Sequence, residues 1–145
     1  MELVEEVRSW LIEEKVGLIT EAELIGRVDN KISELDGPPD YLMAISLKER
    51  IDHLPRLDLI KDRVENNDCS NVARKMLSAL DSGKASFDDI GLYSLKMCQL
   101  LGAQEGPYVD FDWINDEVYL MNEGVKEREK SENDIIRVLK ELSAL

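Results

Sequence analysis

One histidine, two cysteines and an absence of any lysine or arginine between Lys96 and Lys126 are the chain's most obvious scarcities, and each excludes a chemistry. His53 stands between Asp52 and Leu54, just before Pro55. A lone imidazole works as a general base only beside a nucleophile or an orienting carboxylate, so His53 reads as a surface or half-buried residue near a helix C-terminus. Cys69 and Cys98 lie 29 positions apart with no CxxC spacing and no supporting histidines, which argues against zinc and against a disulfide framework. The eight glycines are isolated, so no loop can cradle a phosphate, and neither GxSxG nor HExxH occurs. The expectation is a non-enzymatic chain with no cofactor and no metal. Long apolar runs are missing too: nothing approaches the roughly 18 residues of a membrane span. The opening MELVEEVRSWLIEEK has no basic stretch followed by an apolar one, so no signal peptide is expected. A soluble cytoplasmic protein follows from these absences.

What the chain has in excess is negative charge. Its 31 acids against 18 bases give a formal charge of −13. Such a field repels phosphate backbones and anionic lipid and attracts basic protein surfaces. Nucleic acid and membrane are therefore not expected partners, and a basic protein is. The most basic segment, Lys48 to Lys75, is close to neutral once its acids are counted. With 145 residues, 43% hydrophobic and 34% charged, the chain is expected to form a single folded domain.

The apolar residues recur at helical spacing, and period-two alternation never runs far enough to argue a strand. Leu3, Val7, Trp10 and Leu11 mark a first helix from Glu2 to Val16, closed by Gly17. Thr20 to Glu23 forms a capping box before a second helix with Leu24, Val28, Ile32 and Leu35 inward. Asp36-Gly37-Pro38-Pro39 stops it, and a short helix carries Tyr41, Leu42 and Ile45. Ser46 to Glu49 reads as a further capping box, for a helix with Leu47, Ile51 and Leu54 in register, and Leu57, Ile60 and Val64 resume a helical stripe beyond Pro55. Asn66 to Asp68 reads as a polar loop, with Ser70 or Asn71 capping a helix that buries Val72, Met76, Leu77 and Leu80. Cys69 in that loop is expected to be exposed and Cys98 to be core. Ser86 to Asp89 caps a helix with Phe87, Ile90, Met97, Cys98 and Leu101 on one stripe and Gly91 as its weak point. Ser131 to Asp134 caps the last helix, with Ile135, Val138, Leu139 and Leu142 inward. The class is all-α, a compact bundle of about seven or eight short antiparallel helices.

The base-free stretch from Ala103 to Val125 is the most acidic and most aromatic part of the chain. It reads as a loop containing Pro107, then a helix from Asp110 or Asp112 to Glu123. Asp110 to Asp116 starts like a calcium loop, but Ile114 offers no oxygen where one is needed and Asn115 replaces the turn glycine. On a helical wheel Phe111, Ile114, Val118, Met121 and Val125 share the apolar arc. Asp112, Trp113, Asp116, Tyr119 and Glu123 remain outside it as the candidate partner-binding face, since aromatic anchors supply contact area and carboxylates pair with Arg or Lys. The contrasting reading packs Trp113 and Leu120 beneath another helix and leaves the acids as solvated surface.

Gly26 to Leu47, GRVDNKISELDGPPDYLMAISL, runs a helix into Asp-x-Pro-Pro-x-Tyr-Leu and a second helix. That segment resembles one found in small acidic all-helical bacterial proteins, some of which are similar to toxin-immunity proteins. The resemblance implies stoichiometric inhibition of a basic toxin, such as a nuclease, through an acidic surface, and it carries no binding residue over to this chain. A regulatory or scaffold module, including a homo-oligomer, and a small enzyme with a carboxylate or Tyr base are the alternatives.

Overall fold

The computed structural model describes residues 2–47, 64–102 and 106–145. Among the described residues the chain is all-α, with seven helices and no strand. They are α1 (Leu3–Val16), α2 (Glu21–Glu34), α3 (Asp40–Ser46), α4 (Asn66–Asp81), α5 (Phe87–Leu101), α6 (Pro107–Asn122) and α7 (Arg128–Ser143). His53, the helix expected through Leu54 and the stripe of Leu57 and Ile60 lie outside the described residues. Contacts group the chain into two compact units, Met1–Asp62 and Arg63–Leu145.

In the first unit the expected turn chemistry appears atom by atom. Gly17 adopts a φ of 94°, and the Gly17 and Leu18 N–H groups donate to the carbonyls of Glu14 at 3.1 Å and Glu13 at 2.9 Å. This reversed turn occupies carbonyls that the end of α1 would otherwise leave open. Thr20 Oγ1 accepts from the Glu23 N–H at 3.1 Å, while Glu23 Oε1 accepts from the Thr20 N–H at 3.3 Å, so the capping box is complete. Helices α1 to α3 enclose Val7, Leu11, Ile19, Leu24, Val28, Leu42 and Ile45, with Trp10, Ile32, Leu35 and Tyr41 packed against them. Glu13 is buried and meets Arg27 at 3.3 Å. Ser46, expected to cap a new helix, is instead the last residue of α3, and its hydroxyl donates to Asp29.

The second unit departs from expectation at its helix starts. Asn66 to Asp68 is the first turn of α4, not a loop, because the Glu65 N–H donates to Asp68 Oδ2 at 2.8 Å and moves the cap upstream of Ser70. Cys69 is thereby placed one turn before Val72 and Ala73 and two before Met76, and is buried, not exposed. Ser70 is buried as well, and its hydroxyl donates to the Ser143 carbonyl at 2.8 Å at the far end of α7. Leu77 and Leu80, expected inward, are half-buried and line a groove of about 530 Å³ with Phe87 and Ile136. The Ser86 box forms as read: the Asp89 N–H donates to Ser86 Oγ at 3.2 Å, and Asp89 Oδ2 accepts from the Ser86 N–H at 2.9 Å. Helix α7 starts after Glu127, and Ser131 lies inside it, buried, with its N–H already bonded to the Glu127 carbonyl at 3.0 Å. Helix α4 packs on α7, α5 on α6, and α6 on α7.

Candidate functional site: the outer face of α5 and α6

Pro107 opens α6 at its first position, where a missing N–H costs nothing, so the helix begins before the expected Asp110. At the other end Gly124 takes a φ of 76°, and the Gly124 and Val125 N–H groups donate to Met121 O at 3.2 Å and Leu120 O at 3.0 Å. This turn removes Val125 from the helical register. It is 68% exposed, against the expectation that it shares the buried arc. Phe111, Ile114, Val118 and Met121 are buried as expected. Asp110 to Asp116 is helical throughout.

Three contacts define the seam between α5 and α6. A Cβ on Gly91 would stand 3.2 Å from Val118 Cβ, so glycine is what allows the two backbones this close. Asn122 Nδ2 donates to Asp88 Oδ1 at 2.6 Å, and the Cys98 thiol approaches the Tyr108 carbonyl at 3.7 Å. The pairs 88 with 122, 91 with 118 and 98 with 108 run in opposite directions, as an antiparallel hairpin requires.

Four of the five residues expected on the partner face are brought together. Asp112, Asp116, Tyr119 and Glu123 are exposed, and their i, i+4, i+7, i+11 spacing makes them one stripe along α6 and its C-terminal cap. Burial first, and then Asp112 and Asp116, push the Cys98 thiol up to about 11, so these two acids lie within reach of α5. Trp113 is set apart: it is half-buried and about 100° around the helix from Asp112. That turns it toward the α7 flank, where Glu117 and Asp110 also lie. Burial and the nearby Glu141 of α7 raise the Asp110 carboxyl above its ordinary range.

Among the described acids of this stretch, Glu117 alone is buried. It is 2% exposed, and Lys126, just beyond the Gly124 turn, reaches it at 2.7 Å. The pair ties the end of α6 to the start of α7. A small cavity of about 240 Å³ adjoins it, lined also by Lys130, Ser131 and Asp134. Both thiols are buried and raised, Cys69 to about 12 by burial and then by Asp68, which leaves them poor nucleophiles. Among the described residues no cluster of three or more Asp, Glu, Cys or His side chains could hold a metal.

Sequence reasoning missed the contribution of α5. Asp88, Leu92 and Leu95 are exposed on the helix that borders the acidic stripe. The signal was present as three residues of α5 left off its apolar stripe, but only the seam with α6 gives them a common side. Among the described residues no helix is long and apolar enough to cross a membrane. No protein-family model, curated protein or solved structure matches this chain.

Proposed function

We propose that this chain is a non-enzymatic protein-binding domain whose partner is a basic protein, and that it acts by occupying that partner stoichiometrically, as an immunity-like inhibitor occupies a toxin. One observation carries the reading: Tyr119, 62% exposed, stands on a stripe with Asp112, Asp116 and Glu123, in a segment with no base from Met97 to Val125. An exposed aromatic ringed by one sign of charge suits a partner that brings an apolar recess edged by Arg or Lys. The overall charge of −13 adds long-range attraction for such a partner and none for nucleic acid. The likeness of residues 26–47 to segments of acidic helical bacterial proteins supports the inhibitory form of the reading.

The test is recovery of partners from the native host at low and high salt, followed by reconstitution with the purified partner. The expected partner is basic, binds one to one and weakens as salt screens the interface. If the partner is an enzyme, its activity falls in proportion to the chain added and stops at equivalence. Recovery of an acidic partner, or of none, would overturn the proposal.

A further inference from the structure

The exposed residues of α5 and α6 form two matching stripes. On α5, Asp88, Leu92 and Leu95 fall at i, i+4 and i+7, and on α6, Asp112, Asp116 and Tyr119 do the same. The Asn122 to Asp88 hydrogen bond and the Gly91 to Val118 approach put both stripes beside one seam. Leu92 is 58% exposed and Leu95 39%, so this seam carries large apolar surface that the fold leaves open. Its polar edge is mainly acidic: Asp88, Asp112, Asp116 and Glu123 outnumber Lys96, the i+4 neighbour of Leu92, and Arg128, whose guanidinium donates to Asn122 Oδ1 at 2.7 Å.

The kind of partner follows from what the surface lacks. Interior N–H and C=O groups of both helices are used in their own ladders, so an extended strand finds no main-chain edge to pair with. A second copy of this chain would set Asp88, Asp112 and Asp116 against the same acids, which disfavours self-association through this face. Two packed antiparallel helices leave a shallow groove along their seam, and a third helix fits such a groove by side-chain packing alone. We infer that the α5–α6 seam docks a basic amphipathic helix, with apolar side chains seated on Leu92, Leu95 and Tyr119 and Arg or Lys residues paired with Asp88, Asp112 and Asp116. This rests on the basic-partner reading and adds the shape of the recognition element and the half of the surface supplied by α5.

The experiment uses the full chain and three probes: a leucine–lysine peptide of about 18 residues, long enough to form a helix, with leucines at i, i+3, i+4 and i+7; an isomer of the same composition whose leucines share no face; and oligolysine. Binding is read by titration and by amide chemical shifts. The amphipathic peptide is expected to bind at least about tenfold tighter than its isomer and to shift Leu92, Leu95 and Tyr119. The double variant Leu92→Ser, Leu95→Ser, its fold checked by circular dichroism against the parent, is expected to lose that advantage and keep its oligolysine binding. Equal binding of the two isomers, shifts centred on the Leu77 and Ile136 groove, or dimerisation of the chain through these amides would each overturn the docked helix while leaving a basic partner possible. Failure of all three probes, oligolysine included, would count against the basic-partner reading itself.

Discussion

Phe111 and Tyr119 sit about two turns apart on α6 with opposite roles. Phe111 is fully buried, and Phe111→Ala should cost about 3–5 kcal/mol in denaturant unfolding, through lost contacts and the cavity left behind. Tyr119→Ala should stay within about 0.5 kcal/mol of the parent, because its ring is in solvent, while weakening capture of the basic partner. The Glu117 and Lys126 pair offers a sharper comparison. Lys126→Met leaves a buried carboxylate without its cation and should destabilise by about 1–2 kcal/mol, less than for a fully buried pair because Lys126 is itself 45% exposed. Adding Glu117→Gln should recover most of that loss, and a double-mutant cycle measures the coupling. The thiols set an alkaline limit. Their folded pKa values, about 12 for Cys69 and about 11 for Cys98, lie above the unfolded value of about 8.5. The unfolded chain therefore releases these protons first, so the stability they lend is complete below about pH 8.5 and declines as pH rises toward 11–12. Unfolding midpoints between pH 7 and pH 10 should fall, and Cys69→Ala should flatten the slope.

At the scale of the element, what decided each helix start was whether a cap residue competed with an alternative upstream. Thr20 and Ser86 follow glycine turns and have an acid three residues on, so their capping boxes were legible and form. Ser70 and Ser131 have the same side chain but lie inside helices, because Glu65 and Glu127 begin α4 and α7 earlier and helix propagation absorbs both serines. Val125 failed for the complementary reason: a wheel drawn through it assumes a helix that Gly124 has already ended. Gly91 shows where propensity and packing oppose each other. In an isolated helix Gly91→Ala would gain up to about 1 kcal/mol, but here the new Cβ meets Val118 at 3.2 Å, an atom fixed to the α6 backbone. Overpacking of this kind costs about 1–3 kcal/mol, so the net expectation is a loss near 1 kcal/mol with both helices retained. A more stable Gly91→Ala protein would mean that α5 and α6 can move apart freely.

At the scale of the whole molecule, contacts gather into two units, Met1–Asp62 and Arg63–Leu145. The second holds four helices, each packed on two of the others, and the complete α5–α6 surface. A fragment of residues 63–145 should therefore be helical by circular dichroism, melt cooperatively and retain the parent's affinity for the basic partner. A non-cooperative melt would mean that the unit depends on the first 62 residues for its fold. The distribution of charge belongs to this scale too: the acids are spread along the chain, but the stretch between Lys96 and Lys126 contains no base of its own, and only Lys126 and Arg128, just beyond it, reach its side chains Glu117 and Asn122.

The all-helical class, the turn at Gly17, the two capping boxes and the acidic, aromatic character of α6 were determined by the sequence alone, because each depends on residues within a few positions of one another. Tertiary structure decided which side of a helix faces outward and what lies beside it. It half-buried Trp113, withdrew Glu117 into an ion pair with Lys126, buried Cys69 and brought α5, with its exposed Leu92 and Leu95, against α6. Local spacing cannot determine these outcomes, because each depends on how closely two helices distant in sequence approach. At the α5–α6 seam that approach is permitted by the missing side chain of Gly91.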